Sequence, residues 1–86
     1  MVKLVKNGIT DEGFRVLLSY LVKDNFAQVL NLTSNQISAR SIGAMLKMAE
    51  SNHILKAIYL NNNKILSFHL KAKREELDKV SLDIII

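Results

Sequence analysis

Apolar and polar residues alternate in three short segments of the chain, and these segments recur at equal intervals. The apolar pairs of the segments are Val2 and Leu4, Leu30 and Leu32, and Ile58 and Leu60. Alternation with a period of two predicts a short β-strand that buries one of its faces. Each segment therefore predicts one strand of a sheet.

An asparagine follows each predicted strand, at Asn7, Asn35 and Asn63, and an isoleucine follows each asparagine after one further residue. An asparagine amide can hydrogen-bond to backbone groups of a turn, and leaving such groups buried and unpaired is costly. Asparagine also tolerates the left-handed backbone conformation better than most residues. We predict that the three asparagines occupy equivalent turns and direct their amides inward.

Helical periodicity follows the first two turns. Thr10 precedes Asp11 and Glu12, which predicts a helix N-cap followed by acidic residues where the helix dipole favours them. The predicted apolar stripe of this helix consists of Phe14, Leu17, Leu18 and Leu21. In the second copy, Ser38 is the predicted cap, and the predicted stripe consists of Ile42, Met45, Leu46 and Ala49.

The third copy departs from this pattern because two of its four stripe positions are charged. These positions are Leu70, Lys73, Arg74 and Leu77. The i,i+4 spacing predicts ion pairs of Glu75 with Lys71 and with Lys79 on a solvated face. The third helix is therefore expected to belong to a terminal, partly capping unit.

The pattern resembles the ribonuclease-inhibitor-like class of leucine-rich repeats, whose units of about 28 residues read L-x-x-L-x-L-x-x-N-x-[LI] and continue into a helix. The third copy matches in full with Leu55, Ile58, Leu60, Asn63 and Ile65, and the second has Ala27 at the first leucine position. The resemblance implies an α/β solenoid of right-handed strand–helix units, with a parallel sheet on its concave face and helices outside. The expected single domain, 1–86, contains repeats 1–26, 27–54 and 55–80 and a terminal strand 82–86.

Composition narrows the class of protein. The chain has 86 residues and no cysteine, which is consistent with one small domain without disulfides or thiolate metal sites. It has no apolar run near the roughly 18 residues of a membrane span and no signal-peptide core, so the sequence predicts a cytoplasmic protein without membrane contact. The net charge is +4, but acids interleave with the cations of residues 71–79 and no aromatic set accompanies them. This pattern argues against nucleic-acid binding.

No constellation of residues indicates catalysis. His53 and His69 lie in different parts of one predicted repeat, without clustered aspartate or cysteine. Metal binding and general-base catalysis both need convergent groups, so we predict neither an enzyme nor a metal or cofactor site.

The outward residues of neighbouring predicted strands would line up side by side and form a binding strip. Its members are Lys3, Val5, Asn31, Thr33, Ser34, Tyr59, Asn61 and Asn62. Tyrosine is enriched among binding anchors, so the strip favours a module that binds another protein. The same residues are equally compatible with a merely solvated sheet face.

An alternative function is a structural or regulatory assembly piece that self-associates, or docks on a larger repeat protein, through its end strands. Ile84, Ile85 and Ile86 follow Asp83 in the last predicted strand. Exposed apolar edge strands promote pairing with other chains. We therefore expect residues 82–86 to be buried, either on the last helix or against a second copy of the chain.

Overall fold

Four short parallel strands form one sheet in which their order follows the sequence. A computed structural model describes residues 1–23 and 26–86, so residues 24 and 25 of the first predicted repeat lie outside the described residues. The strands are β1 (Val2–Lys3), β2 (Val29–Asn31), β3 (Ala57–Tyr59) and β4 (Asp83–Ile85). The helices are α1 (Asp11–Leu21), α2 (Ile42–Ser51), α3 (Ser67–Ala72) and α4 (Arg74–Leu77), and a 3-10 turn, Ala39–Ser41, precedes α2. The predicted α/β class is confirmed.

The register of the sheet places equivalent sequence positions side by side. Val2 pairs with Leu30, and Leu30 pairs with Ile58, so each of these steps equals the interval at which the strand pattern recurs in the sequence. The next step, from Ile58 to Ile84, is shorter by two positions. Hydrogen bonds continue the pairing beyond the strands, as where the backbone N–H of Leu4 donates to the carbonyl oxygen of Asn31 at 2.8 Å. Equivalent side chains therefore form rows across the sheet.

The core lies between one face of the sheet and helices α1 and α2. Its completely or almost completely buried side chains are Phe14, Leu30, Leu32, Ile37, Met45, Ile58 and Leu60. These residues come from the predicted strands, the turns after them and the helical stripes. Burial of such side chains is the main stabilising contribution in a chain of this size.

The buried stripe of α2 differs in one member from the predicted stripe. Met48 is buried, whereas Leu46 is half-buried at the margin of the core. With 100° between successive helical residues, the buried arc runs from Met48 through Met45 and Ala49 to Ile42. This arc leaves Leu46 at its edge.

The predicted N-caps also need correction. Thr10 occupies the N-cap position of α1, but its side chain makes no capping hydrogen bond. The hydroxyl oxygen of Ser38 accepts a hydrogen bond from the backbone N–H of Arg40, and it therefore caps the 3-10 turn instead of α2. The Ser38 hydroxyl itself donates to the Asp11 carboxylate at 2.6 Å, so this cap also joins the first two helical segments.

Asp11 connects the start of α1 to the 3-10 turn. Its carboxylate accepts hydrogen bonds from the backbone N–H of Ser38 at 2.9 Å and from the Ser41 hydroxyl at 2.5 Å, as well as from the Ser38 hydroxyl. Burial by itself raises the pKa of Asp11, but these hydrogen bonds, aided by the charge of Arg40, outweigh burial and bring the pKa below its ordinary value of 3.8. The ionised carboxylate is therefore the form that stabilises the fold.

Asn35 bridges the first two turns through its amide. Its Oδ1 accepts hydrogen bonds from the backbone N–H groups of Asn7 at 3.0 Å and Ile9 at 2.9 Å. Its Nδ2 donates to the carbonyl oxygens of Leu4 and Leu32, both at 2.9 Å. Because Asn35 is buried, these bonds satisfy the N–H groups of Asn7 and Ile9 and the Leu4 carbonyl oxygen, which have no other partner among the described residues.

The other two turn asparagines differ in what they contact. Asn63 also bridges two turns, since its Oδ1 accepts from the Ile37 N–H at 2.9 Å and its Nδ2 donates to the Leu32 carbonyl oxygen at 2.8 Å. Asn7 is exposed, and among the described residues its amide donates only to the nearby Val5 carbonyl oxygen, at 3.3 Å. The predicted equivalence is therefore wrong for Asn7. The reason is that β1 is an edge strand, which leaves Asn7 no outer neighbouring turn to bridge within the described sheet.

The loop between α2 and β3 is held by an asparagine that the sequence analysis did not single out. Asn52 is buried, and its Nδ2 donates to the carbonyl oxygen of Leu21 at the end of α1. Its Oδ1 accepts from the backbone N–H groups of Ile54 at 2.8 Å and Leu55 at 3.2 Å. Asn52 therefore fixes the entry into β3 relative to the first helix.

The C-terminal part is less buried than predicted. Among the described residues, neither predicted partner of Glu75 forms an ion pair with it; the ion pair on this surface joins Arg74 Nη1 to Asp78 Oδ1 at 3.6 Å. Leu82 is buried and Ile84 is half-buried, whereas Asp83 and Ile86 are exposed. The first alternative, burial of residues 82–86 on the last helix, is therefore wrong for these two residues, and burial against a second copy of the chain stays a prediction. The alternation along a strand turns Asp83 away from the core.

Candidate functional site

The first row of the candidate site runs across all four strands on the face opposite the core, which we call the outer sheet face. The register places Lys3 beside Asn31, Asn31 beside Tyr59, and Tyr59 beside Ile85. Lys3 is exposed and the other three side chains are half-buried. Neighbouring strands lie about 4.8 Å apart, so the row is about 14 Å long. It changes from a cation to an amide, then to an aromatic ring and an aliphatic side chain.

A second row lies one pleat further along the strands. It contains Val5, Thr33 and Asn61, of which Val5 is exposed and the other two are half-buried. The backbone N–H of Lys6 donates to the Thr33 carbonyl oxygen at 3.1 Å, and the N–H of Ser34 donates to the Asn61 carbonyl oxygen at 2.9 Å. These bonds extend the strand pairing and keep the second row in step with the first.

A third row consists of turn residues whose backbone is left-handed. Lys6, Ser34 and Asn62 have φ angles of 57°, 61° and 57°, respectively. The Nδ2 of Asn62 donates to the Ser34 hydroxyl at 3.0 Å. The repeated conformation turns the chain away from the sheet at the same place in each copy. Ser34 and Asn62 thus border the second row, as does Lys6, which was not among the predicted site residues.

Asn31 has one half of its amide committed and the other half available. Its Oδ1 accepts from both the backbone N–H and the hydroxyl of Thr33, at 3.1 Å and 2.6 Å. Its Nδ2 makes no hydrogen bond with any of residues 1–23 and 26–86, and neither do the side-chain polar groups of Tyr59 and Asn61. The centre of the outer sheet face therefore presents three uncommitted polar groups on half-buried side chains.

The structure places all eight predicted strip residues in these three rows. It adds Ile85 to the first row and Lys6 to the third. Ile85 could have been found from the alternation within residues 84–86, but its step from Tyr59 is shorter than the repeat spacing. Lys6 could have been found because it precedes Ser34 by the same interval that separates Ser34 from Asn62.

The histidines lie apart from the outer sheet face and from each other. The Nδ1 of His69 accepts a hydrogen bond from the Leu66 backbone N–H at 3.0 Å, and its ring contacts the Phe68 ring, with 4.1 Å between centroids. His53 is exposed in the loop before β3. Within the part of the chain that the structure describes, no three histidine, cysteine, aspartate or glutamate side chains converge as a metal site would require.

No protein-family model matches the chain, and no curated protein matches it significantly.

None of the helices in the described ranges combines the length and the apolar character that crossing a bilayer requires.

Proposed function

We propose that the chain is a leucine-rich-repeat module of the ribonuclease-inhibitor-like class that binds another protein through a concave outer sheet face. The assignment is supported by the equal steps of the register from β1 to β2 and from β2 to β3, and by Asn35 and Asn63, whose amides each bridge two successive turns. Such repeats gain their stability from contacts between neighbouring units. On this interpretation, the three strand–helix units are the repeats and β4 is the strand that follows the third unit.

The observation that carries the binding function is the set of uncommitted polar groups at the centre of the outer sheet face. Asn31, Tyr59 and Asn61 present them beside the half-buried Ile85. Tyrosine supplies a large contact area together with a hydrogen-bonding hydroxyl, which suits it to anchor an interface. A partner that covers this surface would gain apolar contacts and hydrogen bonds without first breaking internal ones.

The proposed module acts without catalysis and functions in the cytoplasm. The absence of cysteine agrees with a reducing compartment. The Nδ1 of His69 accepts a hydrogen bond from the Leu66 backbone N–H at the start of α3, and His53 lies on a separate loop. These placements favour structural roles for both histidines over proton transfer.

Site-specific photo-crosslinking tests the proposed surface. A photoreactive amino acid at position 59 is expected to capture a partner protein in cells that express the chain, whereas the same amino acid at Lys47, exposed on α2, is expected to capture none. Tyr59→Ala should then weaken the binding of the captured partner by about 1–2 kcal/mol and leave the melting temperature of the chain unchanged. Capture from position 47 alone, or an unchanged affinity of Tyr59→Ala, would overturn the proposal.

A second candidate function is self-association through the end strands, or docking on a larger repeat protein. It is favoured by the exposed apolar side chains beside β1, namely Met1, Tyr20 and Phe26. Light scattering over a range of concentrations tests it, with Phe26→Glu as the variant. A dimer mass that falls to the monomer mass in the variant supports self-association, and a monomer mass at every concentration rejects it.

A further inference from the structure

We propose that the outer sheet face binds an acidic–apolar protein segment, with a carboxylate of that segment between Lys3 and Asn31 and an apolar side chain against Tyr59 and Ile85. This inference rests on the proposed binding function of the same face and specifies the chemistry of the partner. It follows from the order of side chains along the first row, which is polar and cationic at β1 and apolar at β4.

The charge distribution of the face selects an anion at the β1 end. Among the outward residues of β1, β2 and β3, Lys3 is charged and no acid is present, and Lys6 adds a second cation in the adjacent turn. The acid on this face is Asp83, which pairs in register with Ala57 and lies on β4. Because β1 and β4 are about 14 Å apart, screening by salt weakens the effect of Asp83 on a carboxylate beside Lys3.

Asn31 supplies an oriented donor for the same carboxylate. Thr33 fixes its Oδ1 through two hydrogen bonds, of 3.1 Å and 2.6 Å, and this leaves the Nδ2 group as the free half of the amide. The backbone N–H and the hydroxyl of Thr33 also fix the orientation of the Asn31 amide, since both donate and only the amide oxygen can accept. An incoming acceptor therefore meets an N–H donor on Asn31, with Lys3 on the neighbouring strand.

The β3–β4 end offers an apolar contact instead. Tyr59 and Ile85 pair in register, and both are half-buried. Ala57, the preceding outward residue of β3, is also half-buried and contributes no charge. An aliphatic or aromatic side chain placed here would lose water contact on apolar surface, which is favourable.

The spacing of the two ends sets the spacing of the groups in the partner. Lys3 and Tyr59 are two strands apart, which corresponds to about 10 Å. A segment in the polyproline II conformation rises about 3.1 Å per residue and has three residues per turn, so an acidic and an apolar residue three positions apart would lie on the same side and reach both ends. The expected ligand is therefore a short segment with this pairing, and an acidic segment without the apolar residue should bind less well.

Selection from a phage-displayed library of random 12-residue peptides tests the inference, with the intact chain as the target and peptides eluted by excess free chain. Enriched peptides are expected to contain aspartate or glutamate about three positions from an aliphatic or aromatic residue. Replacing that acid with its amide in a synthetic peptide should lower the affinity about threefold to tenfold at low salt.

Two variants of the chain examine the two proposed carboxylate contacts. Lys3→Glu should lower the affinity for the selected peptide about threefold to tenfold. A peptide with lysine in place of the acid should bind this variant with the affinity restored. Asn31→Asp keeps an oxygen for Thr33 but replaces the donor with a second acceptor, so it should weaken the acidic peptide and spare its amide form. Lys47→Glu on α2 is the matched control and should leave the affinity unchanged.

The outcomes separate this inference from the proposed function. If selected peptides lose affinity with Tyr59→Ala but are indifferent to Lys3→Glu, to Asn31→Asp and to removal of their acid, the acidic–apolar assignment is overturned and binding at the outer sheet face stands. If Tyr59→Ala does not change the affinity for any selected peptide, or if the wild-type chain enriches no peptide over the Tyr59→Ala chain, the acidic–apolar assignment and the binding function of the face are both overturned. Restored affinity between Lys3→Glu and the peptide that carries lysine in place of its acid supports both the assignment and the binding function.

Discussion

Helices α1 and α2 run for 11 and 10 residues and bury three and four side chains, whereas α3 and α4 run for 6 and 4 residues and bury none. The turns that precede these helices are much more alike, because Asn35 and Asn63 both bridge to the turn before them. The two regions therefore have the same kind of asparagine turn but differ in their helices. The difference lies in the stripe, since Lys73 and Arg74 stand where α1 and α2 carry apolar residues. A helix with a charged stripe cannot bury that side, so it remains short and solvated.

The largest expected effect comes from truncating one stripe leucine in each of the two regions. Leu18 on α1 is 3% exposed, and Leu18→Ala should reduce the free energy of unfolding by about 2–5 kcal/mol. Leu70 on α3 is half-buried, and Leu70→Ala should cost about 1 kcal/mol because solvent fills the space it leaves. Urea unfolding followed by circular dichroism measures both. Equal losses would show that the C-terminal region is packed as firmly as the first.

The turn asparagines provide the next comparison. Asn35→Ala leaves the part-buried Ile9 N–H and Leu4 C=O groups without partners and should destabilise the chain by about 1–3 kcal/mol. Asn7→Ala removes a single exposed hydrogen bond and should cost less than about 0.5 kcal/mol. The same unfolding measurement applies, and a loss for Asn7→Ala as large as that for Asn35→Ala would contradict the bridging role assigned to Asn35.

Asp11 gives the first region a dependence on pH. Its folded-state pKa is below the ordinary value of 3.8, so its stabilisation is complete well above pH 3.8 and is lost as the pH falls through the folded-state pKa. Asp11→Asn should cost about 0.5–1.5 kcal/mol at neutral pH. The difference from the wild type should narrow below pH 3.8.

Stability measured from pH 7 to pH 2.5 tests this expectation, with Glu12→Gln as the control because Glu12 is the exposed neighbour. A constant difference between Asp11→Asn and the wild type across this range would mean that the charge of Asp11 is not what the serine hydroxyls stabilise.

The smallest expected effect concerns the ion pair of the C-terminal region. Arg74 and Asp78 are 3.6 Å apart, and both side chains are largely exposed. Arg74→Gln should change the free energy of unfolding by less than about 0.5 kcal/mol, and added salt should abolish even that change. A larger loss would place this surface pair among the main contributions to the stability of α4.

The strands could be predicted from the sequence because alternation and burial have the same cause. Leu30, Leu32, Ile58 and Leu60 alternate with polar residues and are all buried. The division of the third helix into α3 and α4 could not be predicted, because charged stripe positions indicate weak packing but do not indicate where the helix breaks. The side-chain contact of Asp11 with the 3-10 turn was also hidden, since the sequence pattern fits a simple helix start.

The outer sheet face was only partly predictable. Sequence spacing identified the strip, because period-two alternation assigns six of its members to one side and the other two, Ser34 and Asn62, follow them in the turns. It could not distinguish the fixed from the free half of the Asn31 amide, which depends on the rotamers of Thr33 and Asn31. Nor could it identify Ile85 as the neighbour of Tyr59, since the last step of the register is shorter than the others.

The strand order has a consequence for how the outer sheet face moves. β2 and β3 are hydrogen-bonded on both sides, whereas within the described sheet β1 and β4 each have one neighbour. Opening by fraying should therefore begin at β1 and β4, and amide hydrogens of β2 and β3 should exchange with solvent most slowly. Lys3 and Ile85 lie on the two fraying strands, and Asn31 and Tyr59 lie on the slow ones. The face would thus hold a rigid centre between two adaptable margins, and a ligand that reaches both margins would slow exchange there the most.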